Sequence, residues 1–356
     1  MTSPLDDPAA IARLDPTSLV VRIAGLPEQI EQAWSAASAL DLPPSFAGAD
    51  RVCVLGMGGS GIGGALLRAL AVETGARAPV EVVRGYRLPA YVDERSLVFA
   101  SSASGNTEET LAAFEQAMAA GARCIAVTTG GRLAAIARER GACLLSYDWA
   151  GEPRAALGWS FITLVAICSR LRLLTTRDGD VRAAVSELRQ LRDDIGADVP
   201  EAKNAAKRLA RRLAGRLPVV VGAEGLGPVA YRWRTQLNEN AKTWAIADEL
   251  PEMNHNAPLG YGAPPALLPL LHVVLLRQPS LHPRIARRIE LTQAQLAAAG
   301  VACEVVDCGG DSPLAEMLRA VSLGDFVSYY AGILHGVDPS SMQALEDLKR
   351  AMAAAE

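Results

Sequence analysis

The sequence predicts an α/β protein built as two doubly wound domains, each a parallel sheet flanked by helices, with pseudo-twofold symmetry between them. Three observations carry this reading. Short apolar runs alternate with amphipathic stretches from Val52 to Leu145. The unit strand, glycine loop, helix that opens at Val52 returns in degenerate form at Leu217. The chain has 356 residues, 50% of them apolar, which is enough to fill two cores. The expected division is a first domain over 1–155, a helical connection over 156–200 and a second domain over 201–356.

Pro27–Leu40 sets Ile30, Trp34, Ala37 and Leu40 at helical spacing, and Pro27 suits a first helical turn. Val52–Leu55 is a short apolar strand, followed by a glycine-rich loop and a helix over Ile62–Leu70. Val80–Val83 and Leu97–Ala100 read as strands, Ser101–Thr107 as a polar loop and Glu108–Ala119 as a helix. Strand Cys124–Val127, helix Leu133–Arg140 and strand Cys143–Leu145 complete the first half. Strands separated by helices imply parallel pairing with both faces of the sheet covered. Leu157–Leu173 and Val181–Leu191 read as linking helices, and Ala202–Leu213 as a helix whose basic residues form a solvated face. The second half has strands at Leu217–Val221, Leu268–Leu276 and Val301–Val306 and a glycine-bearing loop at Gly222–Pro228, expected to be structural. Its helices are Val229–Asn240, Pro283–Ala299, Leu314–Leu334 and Met342–Ala354.

Composition excludes several classes. The formal net charge is −4, whereas nucleic-acid binders usually carry a basic surplus. Met1–Asp7 is acidic and lacks the apolar core of a secretory signal. The stretch Ala266–Leu276 is interrupted by Pro269 and His272 and is too short to span a bilayer. Cys53, Cys124, Cys143, Cys168, Cys303 and Cys308 form no CxxC pair and sit mostly in apolar runs, so buried free thiols in a reducing, cytoplasmic compartment are expected and no metal site.

Two loops carry the chemistry of the first half. Gly56-Met57-Gly58-Gly59-Ser60-Gly61 follows a strand and opens a helix, the context of a dinucleotide fingerprint. That fingerprint also wants an acidic residue after the second strand, and here Arg84 stands there, a residue suited to a 2′-phosphate. The same glycines have another use: they let backbone N–H groups approach an anion at a helix N-terminus, with Ser60 adding a hydroxyl. The second loop favours that use. Ser102, Ser104 and Thr107 turn three hydroxyls toward one place, and an ordinary N-cap turn accounts for only one of them. A small phosphorylated ligand, most simply a sugar phosphate, fits both loops.

Gly58-Gly59-Ser60-Gly61 and Ser104-Gly105-Asn106-Thr107 resemble the sugar isomerase (SIS) fold. Asn238-Glu239-Asn240-Ala241-Lys242, then Glu249-Leu250-Pro251-Glu252-Met253-Asn254-His255-Asn256, and the ending Gly336-Val337-Asp338-Pro339 closely resemble the bifunctional phosphoglucose/phosphomannose isomerases. The resemblance runs from about residue 25 to the carboxyl end. It implies two SIS domains and interconversion of glucose 6-phosphate, and of mannose 6-phosphate, with fructose 6-phosphate. Such isomerisation passes through a cis-enediolate. It needs a carboxylate that takes a proton and returns it, a cation for the enediolate oxygen and a group that opens the sugar ring. No metal or redox cofactor is required.

From composition alone Glu239 is a surface glutamate and His255 a solvated loop histidine. The resemblance makes Glu239 the catalytic base, oriented by its flanking asparagines, and His255 the ring-opening group, reaching the site from the neighbouring subunit of a homodimer. It makes Arg154, in Glu152-Pro153-Arg154, the cation for the enediolate, and Lys349 a lysine that closes over the substrate. Lys242 is expected to pair within its own motif, and His272, His282 and His335 to be structural. Ala103 stands where an aromatic residue is common, and Ala257 where an acidic one often follows; both bear on substrate preference. Two other readings stay open on sequence: a non-catalytic SIS-type sugar-phosphate binder, and an NADP-dependent oxidoreductase built on the GxGxxG loop and Arg84.

Overall fold

In a computed structural model, which describes residues 3–354, two parallel sheets organise the chain. Met1 and Thr2 of the acidic leader, with Ala355 and Glu356, lie outside the described residues. Three helices lead in: α1 (Pro8–Leu14), α2 (Leu19–Ala24) and α3 (Leu26–Ala39). The first sheet comprises β1 (Arg51–Leu55), β2 (Val80–Val83), β3 (Ser96–Ser101), β4 (Arg123–Thr128) and β5 (Cys143–Ser146), in the spatial order β2-β1-β3-β4-β5. Helices α4 (Gly58–Glu73), α5 (Glu108–Ala119) and α6 (Gly131–Glu139) connect them. A single π-helical turn, Gly158–Ile162, runs into α7 (Thr163–Arg170); α8 (Asp178–Ile195) and α9 (Ala205–Leu213) follow. The second sheet, β6 (Leu217–Ala223), β7 (Ile246–Leu250), β8 (Leu271–Arg277) and β9 (Ala302–Asp307), has the order β7-β6-β8-β9. Its helices are α10 (Gly227–Asn240), α11 (Pro283–Ala298), α12 (Pro313–His335) and α13 (Gln343–Ala353).

Pairing is parallel throughout both sheets, and β3 is buried along its whole length, as expected of a strand covered on both faces. The two halves share one continuous apolar core, in which Val52, Phe99, Phe161, Leu188, Leu209, Val274 and Phe326 all take part. Helix α12 is its axis. It is buried nearly all round, which suits a helix apolar on every side. Glycines on α12 set the approach of α10: a Cβ at Gly324 would lie 2.1 Å from the Trp233 ring nitrogen, and one at Gly332 would lie 2.5 Å from the Asn240 carbonyl oxygen.

Several elements depart from the sequence expectation. Strand β7 was not expected, because Asp248 and Glu249 interrupt its apolar residues; it is an edge strand that pairs only with β6 and leaves most of its side chains exposed. Strand β8 starts at Leu271, since Pro269 holds Pro265–Leu270 in a 3-10 turn instead. The helix expected over Leu157–Leu173 opens with the π turn. The basic residues of α9 do not all face water: Lys207 is 1% exposed, and its ammonium donates to the carbonyls of Leu5 (2.6 Å) and Ala197 (2.8 Å) and to Asp6 (3.1 Å). It also lies over the Tyr330 ring. Lys207→Met is expected to leave these acceptors without a donor and to destabilise the fold by about 3 kcal/mol, read as a lower denaturation midpoint.

Candidate functional site

Strand β1 runs on to β2 on one side, while β3 lies on its other side, with Leu55 beside Ala100. The crevice outside the carboxyl ends of β1 and β3 is therefore a topological switch point, where ligands settle in open α/β sheets. Both loops singled out from the sequence open there. The first N–H groups of α4, from Gly58 and Gly59, have no acceptor within the helix, and its N-cap residue Met57 supplies no side-chain oxygen. Ser60 is buried beside them. In the other loop the Ser102 and Thr107 hydroxyls lie 2.9 Å apart, and the Ser102 hydroxyl accepts from Gly105 N–H at 3.1 Å. Ser104 is exposed and accepts weakly from Asn106 N–H at 3.3 Å. Thr107 stands at the N-cap of α5 without capping it, which leaves the first N–H groups of that helix free as well.

The glycines do more than admit an anion. A Cβ at Gly59 would lie 2.9 Å from the Pro153 carbonyl oxygen and 3.0 Å from Arg154 Cα, so the short turn Pro153–Ala155 rests directly on the start of α4. The Ser160 hydroxyl, from the π turn, donates to the Gly59 carbonyl at 3.1 Å. Arg154 is thereby fixed next to this crevice, and its side chain is 3% exposed.

From there the guanidinium spans the two halves. Its Nε donates to Asn240 Oδ1 at 2.7 Å, one terminal nitrogen to Glu239 Oε2 at 3.3 Å and the other to the Pro339 carbonyl at 2.7 Å. A guanidinium has five N–H donors, so two remain for a substrate oxygen. Burial pulls the Arg154 pKa down from its usual value, and the Glu239 carboxylate acts against that. Glu239, at the end of α10, keeps 28% of its side chain exposed and so faces the crevice from the second half. The side chains of the flanking asparagines make no hydrogen bond to it, contrary to the sequence expectation. Asn240 holds Arg154, and Asn238 accepts from Ala245 N–H at 3.0 Å in the following loop. Lys242 donates to the Glu239 carbonyl within its own motif, and beyond it to the Ser341 carbonyl at 2.8 Å. It adopts a left-handed backbone (φ 52) at the end of α10.

Gly58, Gly59, Ser60, Arg154 and Glu239 thus form one group, with Ser102, Ser104 and Thr107 on the adjacent strand end. His255 and Lys349 do not join it within one chain. Both are exposed, and among the described residues neither side chain makes a hydrogen bond or ion pair. His255 ends a 3-10 turn beyond β7; Lys349 lies on α13, which buries none of its described side chains. Arg84, exposed, lies over the Tyr231 ring of the second half and reaches the Gly61 carbonyl at 3.4 Å. A separate cavity of about 780 Å³, lined by Arg68, Arg84, Tyr231, Glu249 and His282, runs along the other flank of α4 and includes neither Arg154 nor Glu239. There the carboxylate of Glu249 sits against Gly227 at the start of α10, so this helix end is met by a charge from the protein itself. His272 pairs with Glu304 at 2.8 Å, at the start of β8 and away from the crevice. Among the described residues no group of three His, Cys, Asp or Glu side chains is placed to hold a metal ion.

Sequence signals for the remaining parts were faint. Arg232, Gln236 and Asp325, all buried beside Arg154, were not singled out, since isolated charges on long helices read as surface. The Pro339 carbonyl is a backbone atom and has no sequence signature.

Comparison with known proteins adds to this geometry. The SIS domain family matches residues 45–176, and the family described as bacterial phospho-glucose isomerase C-terminal SIS domain matches residues 202–352. A bifunctional phosphoglucose/phosphomannose isomerase of Caldicellulosiruptor bescii is 40% identical over 334 residues, 93% of this chain and 98% of that protein. One from Aquifex aeolicus is 33% identical over 294 residues, 83% of this chain and 88% of that protein. Among solved structures, a hypothetical protein from Thermus thermophilus superposes with a TM-score of 0.73 at 18% identity, covering 98% of this chain and 94% of that one. At that identity the likeness speaks for the fold, two SIS domains with parallel sheets.

Proposed function

The chain belongs to the bifunctional phosphoglucose/phosphomannose isomerase family, and from that premise we propose that it interconverts glucose 6-phosphate and mannose 6-phosphate with fructose 6-phosphate through a cis-enediolate. The observation that carries the reading is the Arg154–Glu239 contact of 3.3 Å, set across the crevice from the start of α4 and the Ser102–Thr107 loop. In this reading residues 1–155 grip the phosphate and supply Arg154, 156–200 connect, and 201–356 supply the base.

Gly58, Gly59 and Ser60 at the head of α4, with Ser102, Ser104 and Thr107, hold the phosphate by N–H and O–H donors. That anchors C1 and C2 over Glu239, whose carboxylate takes the proton from one carbon and returns it to the other. The two free N–H groups of Arg154 stabilise the enediolate oxygen in a planar, preorganised fork. His255 opens the ring and Lys349 closes over the substrate. Both need a second copy of the chain or a movement of α13, and a homodimer with His255 reaching across supplies the first. An exposed apolar side chain four residues on supports that: Leu259 is 95% exposed. No described helix is long and apolar enough to cross a membrane, and the cysteines are free thiols, in keeping with a cytoplasmic enzyme.

The reading is tested by coupled assays with fructose 6-phosphate and mannose 6-phosphate; a wild-type protein inert with both overturns it. In the same assay Ser104→Ala is expected to raise KM for fructose 6-phosphate about tenfold, with a smaller change in kcat, because it removes one charge-assisted hydrogen bond to the non-reacting end.

A further inference from the structure

Three residues of α10, Arg232, Gln236 and Asn240, lie on one face at a spacing of four and are buried to 1%, 2% and 0% exposure. They face Asp325 and Ser328 of α12, which are equally enclosed. Arg232 forks onto the Asp325 carboxylate at 3.1 and 2.7 Å, and Gln236 donates to the same carboxylate at 2.9 Å. Asn240 donates to the Ser328 hydroxyl at 3.0 Å, and that hydroxyl donates to the Asp325 carbonyl at 2.9 Å. The chain closes on Arg154 at both ends. Arg232 donates to the Arg154 carbonyl at 2.9 Å, and Asn240 accepts from Arg154 Nε at 2.7 Å.

We infer that this buried ring, with Asp325 at its centre and Asn240 at its exit, is the device that aims the Arg154 guanidinium, and that Asn240 and Ser328 are positioning residues for the isomerisation. The inference rests on the reading of Arg154 and Glu239 given above. A buried polar ring between two helices is a costly way to join them, since apolar side chains of similar volume hold helices together as well or better. What apolar contacts cannot do is fix the plane of a guanidinium. Arg154 has its backbone held by one arm of the ring and its Nε by the other, so rotation about its last torsions would break a bond with no water at hand to replace it. The fork is then preset: Nε to Asn240, one terminal nitrogen to Pro339, the remaining edge toward Glu239 and the substrate. Asn240 is the member closest to the chemistry. Its amide reads both partners, the carbonyl oxygen taking Arg154 Nε–H and the nitrogen giving to Ser328.

The test compares kcat and KM for fructose 6-phosphate in wild type, Asn240→Ala, Asn240→Asp, Ser328→Ala and Glu239→Gln, with thermal melting of each. Misaiming a reacting group by about 1 Å costs on the order of 10²-fold, so Asn240→Ala is expected to lose about that much in kcat with KM within about threefold of wild type. Asn240→Asp restores an acceptor for Nε–H and is expected to recover at least about tenfold of the loss. A role confined to stability would lower the melting temperature and leave kcat per folded molecule unchanged. That outcome overturns the inference, as does Asn240→Asp no better than Asn240→Ala. Should Asn240→Ala fail to fold, Ser328→Ala, which removes one hydroxyl, serves instead. A kcat reduced about fivefold at constant KM supports the inference, and an unchanged kcat overturns it. Glu239→Gln keeps the two questions apart: if it retains full activity, the reading of the site fails whatever Asn240 does.

Discussion

Glu239→Gln is expected to lower kcat with fructose 6-phosphate by about 10²–10⁴-fold, the usual contribution of a general base, while KM changes little. The substitution keeps volume and a hydrogen-bond acceptor for Arg154, and it removes the ability to carry a proton together with the negative charge of the ion pair. Glu239 lies at the end of α10 with 28% of its side chain exposed, so no packing is lost, and melting is expected to fall only by the small contribution of that pair. Retained activity would show that another group moves the proton. The same variant reports on the assembly. Mixed with His255→Ala, it is expected to regain activity if the histidine acts across a dimer, because one of the two sites in a mixed dimer then holds an intact Glu239 and an intact His255. Two inactive proteins that remain inactive after subunit exchange would place both residues in one chain's site.

Gly59→Ala is the second large expectation. Its methyl group would meet the Pro153 carbonyl at 2.9 Å, Arg154 Cα at 3.0 Å and Arg154 N at 3.1 Å, all backbone atoms. None of these is the end of a flexible side chain that could swing away. The turn carrying Arg154 must lift, or α4 must shift and take its first N–H groups with it. Either movement separates the phosphate grip from the cation, so kcat/KM is expected to fall about 10²-fold. Overpacking of this kind also costs about 1–3 kcal/mol of stability, visible in a urea midpoint. Gly85→Ala is the control: nothing lies within 4 Å of a Cβ there and its backbone is unstrained, so neither quantity should move. Equal effects at both positions would refute the contact as the cause.

These two residues mark what could and could not be seen in the sequence. The loops were legible because a switch-point ligand site needs glycine and hydroxyl residues within a few positions of one another, and that density is local. The use of Gly59 as a seat for Arg154 was not, since the partner lies far along the chain and contributes backbone atoms alone. Asn240 was visible as part of a motif and misjudged in its role. Sequence adjacency to Glu239 implied contact with it, but consecutive helix residues point about 100° apart, and Asn240 turns inward to Arg154. Strand β7 was missed for a different reason. An edge strand with one neighbour buries little, so Ile246–Leu250, broken by Asp248 and Glu249, lacks the unbroken apolar run that revealed β1 and β3. The buried charges Lys207, Arg232 and Asp325 escaped because composition assigns charge to the surface unless a partner is seen, and the partners are distant in sequence.

The face of α10 that carries Arg232, Gln236 and Asn240 also governs how the enzyme comes into being. Glu239 differs from Asn240 by a single step along the helix. If α10 settled against α12 one residue out of place, Tyr231, Thr235 and Glu239 would face α12 in place of Arg232, Gln236 and Asn240, the bonds to Asp325 would be lost, and the Glu239 carboxylate would be withdrawn from the crevice. Such an arrangement would lack both the buried bonds that secure the helix and the fork that stabilises charge. Docking of α10 in its native register is then expected to coincide with the onset of turnover: activity recovered during refolding should follow the docking of α10 rather than the formation of the sheets.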